Sequence, residues 1–246
     1  MKITFLTHST CMLEIHGFFL LIDPFFSENP IIKNNPLLWN KYIRNFGNFE
    51  RIDYILLTHA HYDHVCDVEF FAKKFDSLII SNYEISNYFD QKKRLKTYGM
   101  NYGSFISFPF GKLKYIWAAH SSVFNDGSYG GNPGGFLFHT DEGNIYLSGD
   151  TSLTYEMSLI PKFGKLKMAV LPIGGVYTMD VEEAILASNF LGCDKILGVH
   201  YNTFDSIQID QKKAEKKFLE NEKELFLLKI GEVISIYDDK IDLKTT

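Results

Sequence analysis

The stretch THAHYDHVCD, residues 58 to 67, places three histidines and an aspartate within the six positions from His59 to His64. Neutral imidazoles and carboxylates are ligands for divalent cations. A lone loop histidine is ordinarily solvated, but four donors in six residues at the end of an apolar run read as a metal cradle. Adjacent Asp63 and His64 do not readily converge with His59 and His61 on one point, so two neighbouring cations are the simpler reading. Such a pair needs more ligands, and three stand at the ends of other apolar runs: His120 after KYIWAA, Asp150 after NIYLSG and His200 after KILGV. His8 also follows an apolar run, ITFL, and can line the same cleft. His16 and His139 sit within β-like segments and read as surface or core residues.

The elements that must hold these residues follow from periodicity and punctuation. Residues 1–24 read as two antiparallel strands turning at Gly17 and ending at Asp23. Residues 25–51 show neither strand nor helix period and read as a long irregular loop, either a lid or an ordinary packed loop. DYILLTH is then a buried strand, and Asp67 is placed to cap VEFFAKKF, whose Val68, Phe71, Ala72 and Phe75 share one helical face. The alternation continues with strand SLII, helix YEISNYFDQKKR, strands near 104–108, 113–119, 135–140 and 144–148, and a helix through LTYEMSLIPKF. Strand MAVLPI, helix DVEEAILASNFL stopped by Gly192, strand KILGVH, a charged helix near 210–219 and a final strand around EVISIY complete the chain. Two clusters of strands with helices on their outer faces are the expected α/β architecture. No linker or low-complexity tract divides the chain, so residues 1–246 read as one domain.

Composition narrows the function classes. The chain has 246 residues, 46% hydrophobic and 22% charged, with a formal net charge of −5 and its lysine pairs dispersed, which argues against nucleic acid as a partner. Three cysteines without a CxxC pair are no disulfide framework. The run GFFLLI (17–22) is short and reads as a buried strand rather than a signal peptide or membrane span, giving a cytoplasmic expectation. The glycine-rich stretch 126–136 is followed by no Lys-Ser/Thr pair, so it reads as a turn at the cleft rim rather than a phosphate loop.

THAHYDH, AHSS (119–122), SGDT (148–151) and GVHYNT (198–203), taken in this order, resemble the metallo-β-lactamase superfamily. The N-terminal HST, LLIDPF and LPIGGVYTM are similar to a broad metal-dependent hydrolase family within it, related to the ascorbate-6-phosphate lactonase and N-acylphosphatidylethanolamine phospholipase D branches. The resemblance runs from residue 1 to about residue 205. It implies a four-layer αβ/βα sandwich of two mixed sheets with outer helices. By motif position it implies that His59, His61 and His120 hold one metal, that Asp63, His64 and His200 hold the other, and that Asp150 bridges them. It also implies that Asp23 supports the histidine loop from behind, the alternative being a turn-forming aspartate before Pro24. Asn202, within GVHYNT, is expected to line the site. Cys66 stands where relatives more often have glycine, and Tyr62 is bulkier than the usual residue inside the motif.

Two divalent cations flanking one oxygen lower the pKa of bound water toward ~7 while polarising a carbonyl or phosphoryl group. The expected reaction is therefore hydrolysis, with zinc or manganese and a small ester, lactone or phosphodiester-type substrate. Asp63 is expected as the orienting base and His8 as a cleft residue that contacts substrate or moves a proton. Ser9 and Ser121 are expected as hydrogen-bond donors near the site. A mononuclear iron, sulfur-oxidising oxidoreductase of the same superfamily is the alternative. A homo-oligomer is compatible with the sequence.

Overall fold

The structure, a computed structural model, describes residues 1–45, 49–237 and 240–244. Among the described residues, fifteen strands form two sheets. The first sheet contains β1 (Lys2–Thr7), β2 (Thr10–Ile15), β3 (Phe18–Ile22), β4 (Tyr54–Leu56), β5 (Leu78–Asn82), β6 (Thr97–Met100), β14 (Val233–Tyr237) and β15 (Lys240–Lys244). Its order is β15-β14-β1-β2-β3-β4-β5-β6, antiparallel from β15 to β3 and parallel from β3 to β6. The second sheet contains β7 (Ile106–Phe108), β8 (Gly111–Trp117), β9 (Gly134–Thr140), β10 (Gly143–Leu147), β11 (Leu166–Pro172), β12 (Lys195–Val199) and β13 (Glu224–Phe226). Its order is β13-β12-β11-β10-β9-β8-β7, parallel from β10 to β13 and antiparallel elsewhere.

The sheets pack face to face over a core that includes Ile3, Leu13, Leu20, Leu56, Tyr115, Phe136, Val170 and Leu197. On the outer face of the first sheet lie α4 (Val68–Phe75), whose Val68, Phe71 and Ala72 are buried, and α5 (Tyr83–Lys93). The outer face of the second sheet carries α6 (Val181–Leu191), α7 (Gln211–Glu220) and a 3₁₀ helix over Tyr155–Phe163. The four layers therefore run helix, sheet, sheet, helix. Each of α5, α6 and α7 starts where a side chain accepts from its first turn, namely Asn82 from Ile85 N, Asp180 from Glu183 N and Asp210 from Lys213 N. Gly192 in the left-handed conformation (φ 55°) ends α6.

Several local expectations change. The first 24 residues make three strands rather than two, because the chain also reverses at His8-Ser9; the His16-Gly17 turn, with φ 50° and 73°, closes the β2–β3 hairpin. The segment after Phe25 is partly helical: Asn29 and Asn35 each cap one turn with proline at its start, giving α1 (Pro30–Lys33) and α2 (Pro36–Trp39), followed by a π turn over Asn40–Arg44. Phe26, Ile32 and Tyr42 are buried there. A single turn, α3 (Tyr62–Val65), interrupts the histidine loop. Asp67 precedes α4 without capping it, because its Oδ2 accepts from Phe26 N and Ser27 N instead. The segment through 155–163 is 3₁₀ rather than α, with Pro161 inside it and Gly164 after it. Strands β6, β13 and β15 extend the sheets beyond the sequence expectation.

Candidate metal centre

Six candidate residues stand just past the end of a strand: His8 after β1, Asp23 after β3, His59 after β4, His120 after β8, Asp150 after β10 and His200 after β12. The shared polarity of β3 and β4, and of β10 to β12, delivers these ends to one edge of the sandwich. His61 follows on the loop from β4 as the residue before α3, and Asp63 and His64 lie within α3.

Donor atoms converge in overlapping groups. His59, His61 and His120 form one, His8, Asp63, His64 and His200 a second, and His59, His64 and Asp150 a third, the atoms of each lying within 4.8 Å of one another. In the first, His59 Nε2 is 3.0 Å and His120 Nε2 3.2 Å from His61 Nδ1. Ligands at about 2.0–2.1 Å from one tetrahedral cation stand roughly 3.3–3.4 Å apart, so this spacing suits a shared ion. Asp150 Oδ2 lies between the groups, 3.0 Å from His200 Nε2, 3.5 Å from His64 Nε2, 3.7 Å from His120 Nε2 and 4.0 Å from His59 Nε2. Asp63 Oδ2 is 3.7 Å from His200 Nε2 and 3.8 Å from His64 Nε2.

Supporting hydrogen bonds fix which imidazole nitrogens face the cluster. Asp23, buried, accepts from Thr58 N at 2.9 Å through Oδ1, and from Thr58 Oγ1 at 2.6 Å and His64 Nδ1 at 2.8 Å through Oδ2. His64 Nε2 is thereby the nitrogen left facing the cluster. Because the Thr58 hydrogen is spent on Asp23, Thr58 Oγ1 accepts from His59 Nδ1 at 3.0 Å, and His59 Nε2 is bare. Within the described residues, His64 Nε2 and Asp150 Oδ1 are buried without a hydrogen-bond partner. Buried polar atoms are seldom left so, and a cation is the partner these atoms suit.

The electrostatics point the same way. Burial alone would raise the Asp150 carboxyl, but the charges of His200 and His64 outweigh it and hold the group well below the usual range. Asp63 is likewise driven far down, with His64, His200 and His8 overcoming its burial. Burial pushes His59, His61 and His120 below the ordinary imidazole value. It opposes the rise at His200, where Asp150 wins and brings the group to about 9, and at His64, where Asp150 and Asp23 win. Without a cation, the protonated imidazoles of His200 and His64 balance the two ionised carboxylates, and a cation bound among these atoms would take over that role.

The other expected residues are placed as follows. Ser121 Oγ is 3.2 Å from His61 Nε2 and exposed. Ser9 is buried and its hydroxyl has no partner among the described residues. Asn202 Oδ1 accepts from Ile209 N at 2.7 Å, so its side chain serves the loop after β12. Asn202 and His8 are both among the residues lining a cavity of about 420 Å³ that also contacts Phe5, Ile31, Tyr201 and Thr203. Cys66 Sγ is 3.0 Å from Asp67 Oδ2, and its burial beside that carboxylate raises the thiol strongly, away from thiolate chemistry. Ser122 Oγ accepts from Ala60 N, and a Cβ on Gly130 would stand 2.3 Å from Ala60 Cβ. The glycine-rich stretch therefore buttresses the histidine loop. Thr58 and Thr203 were not singled out in the sequence, although each lies inside a quoted motif beside a histidine-bearing strand end.

Residues 19–201 match the model of the beta-lactamase superfamily domain. The chain belongs to the metallo-β-lactamase superfamily. It is 49% identical over 236 residues to the UPF0173 metal-dependent hydrolase of Flavobacterium johnsoniae, covering 96% of this chain and 100% of that one. It is 48% identical to the UPF0173 metal-dependent hydrolase of Christiangramia forsetii, with the same coverage of both chains. Among solved structures, Igni18, a metallo hydrolase from Ignicoccus hospitalis, superposes with a TM-score of 0.80 at 31% identity, covering 94% of this chain and 96% of that one. This superfamily chain is a metal-dependent hydrolase of the metallo-β-lactamase fold. Among its described residues no helix is long and apolar enough to cross a membrane.

Proposed function

We propose that residues 1–246 form one catalytic unit that holds two divalent cations, zinc or manganese, and hydrolyses a small ester, lactone or phosphodiester-type substrate. In this reading His59, His61 and His120 hold one cation and Asp63, His64 and His200 the other, with Asp150 shared. The supporting observation is the position of Asp150 Oδ2, within 4.0 Å of histidine nitrogens from both groups. A set of imidazoles and carboxylates without a thiolate suits zinc or manganese. When bound, the cations supply an acidified water and Lewis acidity toward the scissile group.

The chain's own residues do the rest. Asp63, whose side chain keeps 27% of its accessibility against 3% for Asp150, is the cluster carboxylate open to the cleft and orients the attacking water. Ser121, exposed beside His61, is placed to donate to the substrate. Among the described residues, the ion pairs of Asp23, Asp63 and Asp150 are all with histidines, so no lysine or arginine there pairs with these carboxylates. Lactones and carboxylic esters come first in this reading and phosphodiesters second. The test is elemental analysis followed by a panel of lactones, carboxylic esters, bis-aryl phosphodiesters and short amides on metal-reconstituted protein. Close to two zinc or manganese ions with ester or lactone turnover is expected; a single iron with no hydrolysis removes the reading.

A further inference from the structure

His8 sits against the cluster with both ring nitrogens engaged. Its Nε2 is 3.2 Å from Asp63 Oδ2 and its Nδ1 is 2.9 Å from Thr203 Oγ1. The ring is fully buried, lies 4.2 Å from the His200 ring centre, and meets Phe25 and Phe204 edge-on at 5.5 and 5.6 Å. Its backbone, in the left-handed region at φ 50°, is tied to β12 by a hydrogen bond from His200 N to His8 O at 3.1 Å. Two roles fit such a ring, and they need opposite tautomers. As a metal ligand His8 offers a bare Nε2, carries its hydrogen on Nδ1 and donates it to Thr203. As a support for Asp63 it carries the hydrogen on Nε2 and accepts from Thr203 at Nδ1.

The hydroxyl decides between them, as Thr58 does for His59. The Thr58 hydrogen is committed to Asp23 at 2.6 Å, so that hydroxyl must accept from its histidine and leave Nε2 bare. Thr203 has no such acceptor. Its alternative, the Tyr201 carbonyl, stands at 3.4 Å against 2.9 Å for His8 Nδ1, and the shorter contact takes the hydrogen. His8 Nε2 then carries a hydrogen that faces Asp63, an ionised, acceptor-only carboxylate.

We propose that Thr203 is a positioning residue: its hydroxyl donates to His8 Nδ1 and fixes the tautomer in which His8 Nε2–H holds Asp63 Oδ2 in place, so that His8 is not itself a metal ligand. This rests on the reading of Asp63 as a ligand, since a carboxylate held by a neutral donor keeps its charge while losing rotational freedom. Thr203, 7% exposed, is close in shape to valine, which removes the hydroxyl alone.

The test compares wild type with Thr203→Val and Thr203→Ser. Long-range ¹H–¹⁵N correlation spectra, taken on the metal-free and zinc-loaded proteins, read the His8 tautomer, and chelator competition reads zinc affinity. The wild type is expected to show His8 protonated on Nε2 alone in both forms. Thr203→Val should lose that single tautomer and bind zinc about tenfold more weakly or worse, with unchanged stoichiometry, and Thr203→Ser should restore both. A hydrogen on Nδ1 in the wild type, alone or with one on Nε2, overturns the proposal, as does a Thr203→Val protein with unaltered tautomer and affinity. A wild type that binds no zinc would instead remove the cation reading, while the metal-free spectra still decide the tautomer.

Discussion

Asp23 illustrates how one side chain can set the chemistry of two others, His64 by direct contact and His59 through Thr58. Its two oxygens take three hydrogen bonds, from Thr58 N, Thr58 Oγ1 and His64 Nδ1, and thereby turn both His59 Nε2 and His64 Nε2 toward the cluster. Asp23→Ala strands these buried donors, and the expected cost is on the order of 3 kcal/mol in a urea melt of metal-free protein. Metal content should fall as well, although Asp23 belongs to none of the donor groups; a variant that keeps full stability and loading would show that the turn before Pro24 is all that Asp23 provides. The donors themselves separate in the same assay. His61→Ala, at a half-buried position, should keep the fold while losing both metal and turnover. His8→Gln, which retains an N–H to face Asp63, should keep metal content near wild type and lower turnover; loss of a metal from it would mark His8 as a ligand.

At the scale of elements, the close approach of strand ends matters more than any single bond. Gly149 has φ 61°, and a Cβ there would lie 2.7 Å from Thr58 Cβ, so the end of β10 that carries Asp150 fits against the end of β4 that carries His59 only without a side chain. Gly149→Ala should push the two ends apart, costing about 1–3 kcal/mol in melting and reducing metal per chain by elemental analysis. Near-full loading in that variant would show that the loops tolerate such a shift. These strand ends were legible in the sequence because β4, β10 and β12 are central strands buried on both faces, which makes them short apolar runs stopped by a polar residue. The strands that escaped notice, β6, β13 and β15, are all at sheet edges, where half-exposed sequences such as TYGM and ELF carry no continuous apolar signal. The single turns α1 and α2 escaped for another reason: Asn-Pro starts them, but four residues are too few to show a helical period. Spacing could suggest histidine donors, but not the contact of Thr203 with His8, which joins residues 195 positions apart.

Across the whole molecule, the candidate donors are contributed by both sheets, His59, His61, Asp63 and His64 through β4 and His120, Asp150 and His200 through β8, β10 and β12. Cations held by them would bind the folded arrangement and not the unfolded chain, so loading should stabilise the fold. At a free metal concentration of 1,000 times the dissociation constant the gain is about 4 kcal/mol, which for a chain of this size is roughly 10 °C in melting temperature. The sign of its pH dependence follows from the ligands. Burial holds His59, His61 and His120 below the ordinary imidazole value, and a bound cation holds a ligand imidazole neutral, so the unfolded chain takes up protons that the loaded fold refuses. His200, raised to about 9, and His64, also raised, must give up protons to bind a cation, so the increment is largest above about pH 9, declines as pH falls, and is lost once the remaining imidazoles protonate below the ordinary imidazole value. Melting curves with and without chelator should differ at pH 7.5 and converge by pH 4.5, with the metal appearing in the dialysate. Curves that stay apart at pH 4.5 with both metals retained would mean that the cations are not held by these imidazoles.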